Sequence, residues 1–404
     1  MAPQHAAALG AGATCVGAAL AVNIAVLGLV QILSVALEDD EPEDQTEAEW
    51  ATGRLNRLRL RSRQLRQQRR RNRRQAYAPP LPYIRFKWTL AMMPEEWIKK
   101  RMRFTTAELN RILPLLHLQD IQWSSGYRPS PQKALCIFLA RLSWPLRLHD
   151  MMDWFGCSRS QLSTIFNDVA IFLFQRFRNK LFFDRRRLTQ RRMEWFARAV
   201  ERQGGGDKVW GWIDGTINRI CRPTDNQREY YSGYKKAHGY KFQAVITPDG
   251  MMSSLAGPIV ASHGDWYVFV DSGFEAEVVA IWRDEQVDRD RRLFVYGDPA
   301  YCGSRVVMGA YKKPPGAQLT PEQALFNREM SACRISVEHG FAQVQNKWMR
   351  NAFQHACRIG SSPLAAYYAS AVLLTNMYTC LRGNQISKKF GLRPPTLEEY
   401  MEDR

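Results

Sequence analysis

Val209-Trp-Gly-Trp-Ile213 followed by Asp214, Gly215 and Thr216 is the stretch that decides the fold. Five apolar or small residues in a row, closed by an acid and a glycine, read as a buried strand with a carboxylate at its tip. The same phrase recurs at Leu293-Phe-Val-Tyr-Gly297, where Asp298 follows and Pro299-Ala-Tyr301 turns the chain. A third acid has a different setting. Between Phe326 and Trp348, residues Phe326, Met330, Cys333, Val337, Phe341, Val344 and Trp348 recur at three-to-four spacing, which predicts a helix with one buried stripe, and Glu338 falls beside that stripe.

Two strand-end aspartates and a helical glutamate gathered in one place would repel each other, raising their pKa values unless positive charge lay between them. A divalent cation supplies it. Hard carboxylate oxygens suit Mg²⁺ or Mn²⁺, and a pair of such ions about 3.5–4 Å apart can activate water or a 3′-hydroxyl and stabilise the departing oxygen of a phosphodiester. Asp214, Asp298 and Glu338 are thus the candidate catalytic and metal-holding residues, with the alternative that each is an ordinary surface acid.

Further landmarks follow in order: Tyr231-Ser-Gly-Tyr-Lys-Lys-Ala-His238, Lys241-Phe-Gln243, Pro248-Asp-Gly250, Gly257-Pro258, Ser272-Gly273, Tyr296-Gly-Asp-Pro-Ala-Tyr301 and Arg334 to Phe341. With Trp210 to Thr216, this series resembles the DDE endonuclease domain of PIF/Harbinger transposases and their domesticated relatives, over roughly Val209 to Leu381. The resemblance implies an RNase H-like fold and a DNA-cutting and joining triad of Asp214, Asp298 and Glu338. It also implies that a separate Myb-like DNA-binding protein can serve as a partner. One departure stands out: where the family usually carries His-Asp, this chain has Gly264-Asp265, which keeps the acid as a secondary metal ligand or DNA contact and leaves room for a domesticated, catalytically silent DNA-binding or adaptor protein.

The expected architecture is α/β: a mixed central sheet flanked by helices over residues 207–382, preceded by a small all-α, helix-turn-helix-like region over 83–200, with a tail at 383–404. Tyr240 to Ile246 and Met251 to Ile259 flank Pro248-Asp-Gly250, a hairpin signal, so the strand bearing Asp214 begins a three-strand meander and the strand before Asp298 pairs beside it. Upstream, Thr105 and Thr106 open an amphipathic helix. Lys133 to Leu142, Leu148 to Phe155, the turn Gly156-Cys157 and the capping box Ser158-x-x-Gln161 then give helix, helix, turn and capped helix. As a DNA reader this unit would aim Arg159, Ser160, Gln161 and Ser163 into the major groove; as a plain bundle it would show the same pattern. Lys235, Lys236, His238 and Lys241 beside Tyr230, Tyr231 and Tyr234 mix cations with stacking surfaces suited to DNA ends, or form a solvated edge. Arg334, one helical turn before Glu338, is placed to orient that carboxylate, to touch a phosphate or to make a structural ion pair.

The 404 residues carry a formal charge of +18, which favours polyanionic partners, DNA first. Most of this is local. After an acidic run from Glu38 to Glu49, Arg54 to Arg74 holds eleven arginines, among them Arg69, Arg70 and Arg71, and no acid. Residues 38–82 therefore read as a disordered linker whose basic half is a nuclear-localisation signal or a DNA arm. The uncharged segment 6–37, within the apolar stretch 1–37, is long enough to span a bilayer, which keeps membrane association as the alternative to a nuclear location. Eight cysteines without a Cys-x-x-Cys pair exclude a zinc ribbon or disulfide scaffold. Homo-oligomerisation is a further expectation.

Overall fold

Tryptophans 210 and 212 and the apolar residues around them are fully buried because they lie on the central strand of a six-stranded sheet. In this computed structural model, which describes residues 85–402 apart from 302, 312, 314–317 and 361, that strand is β1, Val209–Arg219. Short β2, Tyr231–Ser232, is followed by β3, Ala237–Ile246, β4, Met252–Val260, β5, Phe294–Tyr296, and β6, Val307–Met308. The spatial order is β2-β3-β1-β5-β6, with β4 paired to β3 as well. β1, β3 and β4 run antiparallel in sequence, whereas β5 lies parallel to β1 and β6 parallel to β5. The sheet is thus mixed, as expected from the hairpin signal at Pro248-Asp-Gly250 and the placing of the later strand beside β1.

The β3–β4 hairpin turns at Pro248-Asp-Gly250, where Gly250 takes φ +83°, a left-handed conformation that costs glycine little. Its Asp249 is completely buried. It is held by the Thr247 hydroxyl at 2.6 Å, by the Met251 N–H at 3.2 Å and by the Arg187 guanidinium at 2.7 Å.

Among the described residues six α-helices precede the sheet: α1, Glu95–Met102; α2, Thr106–Leu115; α3, Pro131–Ser143; α4, Leu148–Phe155; α5, Arg159–Phe182; and α6, Gln190–Glu201. Thr105 with Glu108 and Ser158 with Gln161 form capping boxes at the starts of α2 and α5, and Gly156 ends α4 in the left-handed region. Leu162, Ile165, Phe166, Val169 and Leu173 of α5 are all buried, each such side chain stabilising the fold by roughly 1.5–3 kcal/mol. What covers them includes the sheet region itself. α5 packs on α3, on β4 and on α10, Leu364–Arg382, and the stretch Pro79–Arg404 forms one compact unit.

On the sheet lie also α7, Asp265–Asp271, α8, Phe274–Asp284, and α9, Pro321–Lys347. The chain closes with α11, Gln385–Phe390, and α12, Leu397–Met401. α10 is apolar on nearly every side because it sits between α5 and the sheet, where Tyr368 stacks on Phe242 of β3 at 4.2 Å and Tyr367 meets Phe166 of α5 at 4.6 Å. Among the described residues no helix is long and apolar enough to cross a membrane. The segments 1–37 and 38–82, with Arg69, Arg70 and Arg71, lie outside the described residues.

Candidate active site

Parallel pairing of β1 with β5 brings together the chain segments that carry Asp214 and Asp298. Trp212 of β1 is in register with Tyr296 of β5, and each aspartate stands two residues further along the chain. Asp298 lies just past the end of β5, and Asp214 lies within β1, which continues to Arg219 because β3 pairs along it, rather than ending at Asp214 as the apolar run suggests. Side chains alternate along a strand, so residues in matching steps of a parallel pair share one face, with the strands about 4.8 Å apart. β5 keeps its course to the end because the Gly297 N–H donates to the Met308 carbonyl of β6 at 3.0 Å. Just beyond it, Asp298 Oδ1 accepts the Ala300 N–H at 2.8 Å and fixes the turn at Pro299–Tyr301. Asp214 Oδ1 accepts the Gly215 N–H at 2.8 Å. Both carboxylates are half-buried.

The same face is covered by α9. A Cβ built on Gly340 would overlap Cδ1 of Ile246, whose register partner is Trp212, two residues before Asp214. Met330, Phe341, Val344 and Trp348 bury the stripe that the sequence pattern marks. Glu338 precedes Gly340 by two residues and, at about 100° per residue, lies on the opposite flank of that stripe, where it is exposed. Of Arg334 only the helical backbone is described. Among the described residues no three His, Cys, Asp or Glu side chains approach closely enough to hold one metal ion together. Asp214 and Asp298 thus each follow the paired Trp212 and Tyr296 by two residues, and Glu338 is carried by the helix that packs on β1 and β3.

Asp265 occupies the other side of the sheet. Its Oδ1 lies 2.8 Å from the position that a Cβ on Gly215 would take, and Gly215 faces away from Asp214 by strand alternation. Lys241, opposite Ile217 on that same side, donates to Asp265 Oδ1 at 2.8 Å. Lys241 is thereby engaged in an ion pair, and Gly215 is required by the close approach of the carboxylate. As the first residue of α7, Asp265 also meets the favourable end of the helix dipole.

The remaining basic candidates divide by exposure. Lys235 and Lys236 stand exposed at the tip of the β2–β3 hairpin beside Tyr234, which is 87% exposed and has the Lys235 ammonium 4.8 Å from its ring centre. His238, half-buried, lies against Tyr231. At the start of α5, Arg159 and Ser160 are exposed, Ser163 is half-buried, and Gln161 is committed to the capping box with Ser158. The missed features, Gly215 against Asp265 and the Lys241 pair, depend on register; the alternating Lys241, Gln243 and Val245 of β3 is the signal that places Lys241 on its face.

Residues 213–376 match the DDE superfamily endonuclease family. This segment carries all three acids and the strands and helix that present them. The chain is also similar to a protein named "Probable transposase for insertion sequence element IS702" from Microchaete diplosiphon, with 30% identity over 131 residues, 31% of this chain and 43% of the relative. The chain thus spans less than half the length of that relative. No solved structure matches.

Proposed function

We propose that the protein is a divalent-metal-dependent DNA nuclease of the PIF/Harbinger transposase type, with an RNase H-like catalytic domain that cleaves DNA phosphodiesters and transfers strands. The observation that supports this reading is the parallel pairing of β1 with β5, which brings the segments of Asp214 and Asp298 together beneath the helix that bears Glu338, within a stretch similar to the DDE superfamily endonucleases. Asp214 lies within β1 and Asp298 just past the end of β5, each two residues beyond the paired Trp212 and Tyr296. Their carboxylate oxygens are hard donors of the kind Mg²⁺ or Mn²⁺ takes.

Asp214 and Asp298 would hold the ion or ion pair and Glu338 would complete the set. When bound, such ions supply nucleophile activation and stabilisation of the leaving oxygen. The chain's own part is orientation. The Gly215 and Ala300 N–H groups each donate to one oxygen of their aspartate and so fix the orientation of the two carboxylates. The exposed hairpin tip of Tyr234, Lys235 and Lys236 offers a stacking and phosphate-contacting edge, and Arg159 with the Arg69 to Arg71 cluster would add backbone contacts. A Myb-like targeting partner, a homo-oligomeric assembly and a nuclear location belong to the same reading.

The test is cleavage of supercoiled DNA with Mg²⁺ or Mn²⁺ by the wild-type protein and by Asp298→Asn. Asparagine keeps the shape and removes the charge, so cleavage should vanish while DNA binding and melting behaviour persist. Cleavage at the wild-type rate by the variant would dismiss Asp298 as a ligand. A wild-type protein that binds DNA and cuts with neither ion would instead be a silent relative of the transposases.

A further inference from the structure

The end of α3, the first turns of α4 and α5, and the segment after α9 enclose an open concavity of about 560 Å³. Arg141 and Arg350 line it together with Arg147, Arg159 and Arg358, and among the described residues no acid does. His149 and His355 add two more groups able to carry positive charge. Arg350 is only 5% exposed, while Arg147, Arg159 and Arg358 are exposed, so the concavity has a cationic floor and a cationic rim.

The floor is under-satisfied. Nε of Arg350, and Nε and Nη1 of Arg141, are buried without a hydrogen-bond partner. Both guanidiniums lie on the Phe166 ring, at 5.1 Å for Arg141 and 5.0 Å for Arg350, and Arg350 also reaches Tyr367 at 5.3 Å. The rings provide packing but no counter-charge. Burial, together with the charge of Arg350, pulls Arg141 down to about 9. Buried donors left open beside a like charge mark a place where a ligand is to complete the network. Two helix starts add to the field, since Arg147 is the N-cap of α4 and Arg159 the first residue of α5.

The walls are fixed in place. The Arg350 N–H donates to the Leu142 carbonyl of α3 at 3.2 Å, and the Cys221 N–H, just past β1, donates to the Cys357 carbonyl at 2.9 Å. Cys221 lies seven residues beyond Asp214. At about 3.3 Å per strand residue this puts the concavity within roughly 25 Å of the acid pair, or about seven base pairs of duplex.

We infer that this concavity binds consecutive phosphates of the DNA that flanks the cleaved bond, its arginine forks seating the backbone away from the acids. The inference rests on the reading of the chain as a DNA-acting enzyme. Guanidinium forks match phosphate oxygens in pairs, and an open mouth rimmed by exposed arginines admits a continuous backbone.

The experiment is a salt titration of duplex DNA binding by the full chain, comparing the wild type with Arg147→Gln/Arg159→Gln/Arg358→Gln and with the same three positions changed to Lys. Each lost phosphate contact flattens the plot of log Kobs against log salt by about 0.9, so the glutamine triple should lose about two to three units of slope, and the lysine triple should keep it. An unchanged slope in the folded glutamine triple overturns the inference. If that triple fails to fold, Arg147→Glu alone reads the same quantity: a loss of about one unit supports the site and no loss overturns it. Tripolyphosphate provides the second arm. Stabilisation of the wild type by it, with no slope change on DNA, would assign the concavity to a small polyphosphate and overturn the DNA assignment. Because slope is a binding readout, a slope change without cleavage would sink the nuclease reading alone, and cleavage with an unchanged slope would sink this one alone.

Discussion

Replacing Gly340 by alanine sets two effects of opposite sign against each other. Glycine inside a helix is about 1 kcal/mol less favourable than alanine, so on propensity alone the change stabilises α9. The added Cβ, however, would overlap Cδ1 of Ile246 and come within 3.1 Å of its Cγ1. Ile246 is 1% exposed and cannot swing into solvent. Overpacking of this kind costs about 1–3 kcal/mol, so the net loss for Gly340→Ala is about 1 kcal/mol, and for Gly340→Leu about 3 kcal/mol. Function should suffer more than stability. An outward shift of α9 carries Glu338 away from Asp214 and Asp298, and a displacement near 1 Å can lower a rate about 10²-fold. Urea melts and plasmid cleavage measure the two effects. The decisive comparison is Gly340→Ala in an Ile246→Val background, which removes the overlapping methyl and should return about 1 kcal/mol of coupling. A Gly340→Ala protein more stable than the wild type, with no coupling to position 246, would refute the seating of α9 on β3 and with it the placement of Glu338.

Three other expectations can be checked directly. Asp249→Ala should cost about 3–5 kcal/mol in a denaturant melt, because it leaves the Arg187 charge buried beside Thr247 without its partner; a loss under about 1 kcal/mol would contradict the burial of that pair. Burial alone would raise the Glu108 carboxyl, but the two bonds from Arg382, at 2.7 and 2.5 Å, and the Thr105 N–H outweigh it and hold the group below its usual range. A depressed carboxylate contributes stability that is full above its unfolded pKa and lost as pH falls through the folded value, so the melting-temperature gap between wild type and Glu108→Gln should close on acidification below about pH 4, and a constant gap would refute it. Deleting residues 50–78 should flatten the salt dependence of DNA binding, since the eleven arginines of Arg54 to Arg74 can displace condensed counterions; equal slopes would reduce the arm to an import signal or linker.

Local rules were legible in the chain where a short pattern suffices. The Asp298 setting follows from an apolar run closed by an acid and a turn, whereas the strand bearing Asp214 runs on to Arg219 because β3 pairs along it. α4 begins at Leu148 and ends at Phe155 because Gly156 takes the left-handed cap and Ser158 with Gln161 opens the next helix. The hairpin at Pro248-Asp-Gly250 was equally readable, although β3 starts at Ala237, earlier than its apolar run, because β2 pairs with that end. Long-range facts were not. That α5 lies on β4 and α10 depends on a helix whose apolar surface points nearly all round, a pattern that tells of burial but not of neighbours. The side of the sheet taken by Asp265 needs the register of β1 and β3, and the gathering of Arg141, Arg159, Arg350 and Arg358 joins positions scattered over much of the chain.

The parallel pairing of β1 with β5 has a consequence in time. Asp214 and Asp298 are roughly eighty residues apart in sequence and meet only when that crossover closes, whereas β1, β3 and β4 pair through shorter connections. Long-range parallel contacts form late, after the entropy of a long loop has been overcome. A chain still emerging from the ribosome, or one truncated before Phe294, lacks the second acid altogether. On the proposed reading, the acid set is therefore complete only at the end of folding, and a partly made chain has no means to cut.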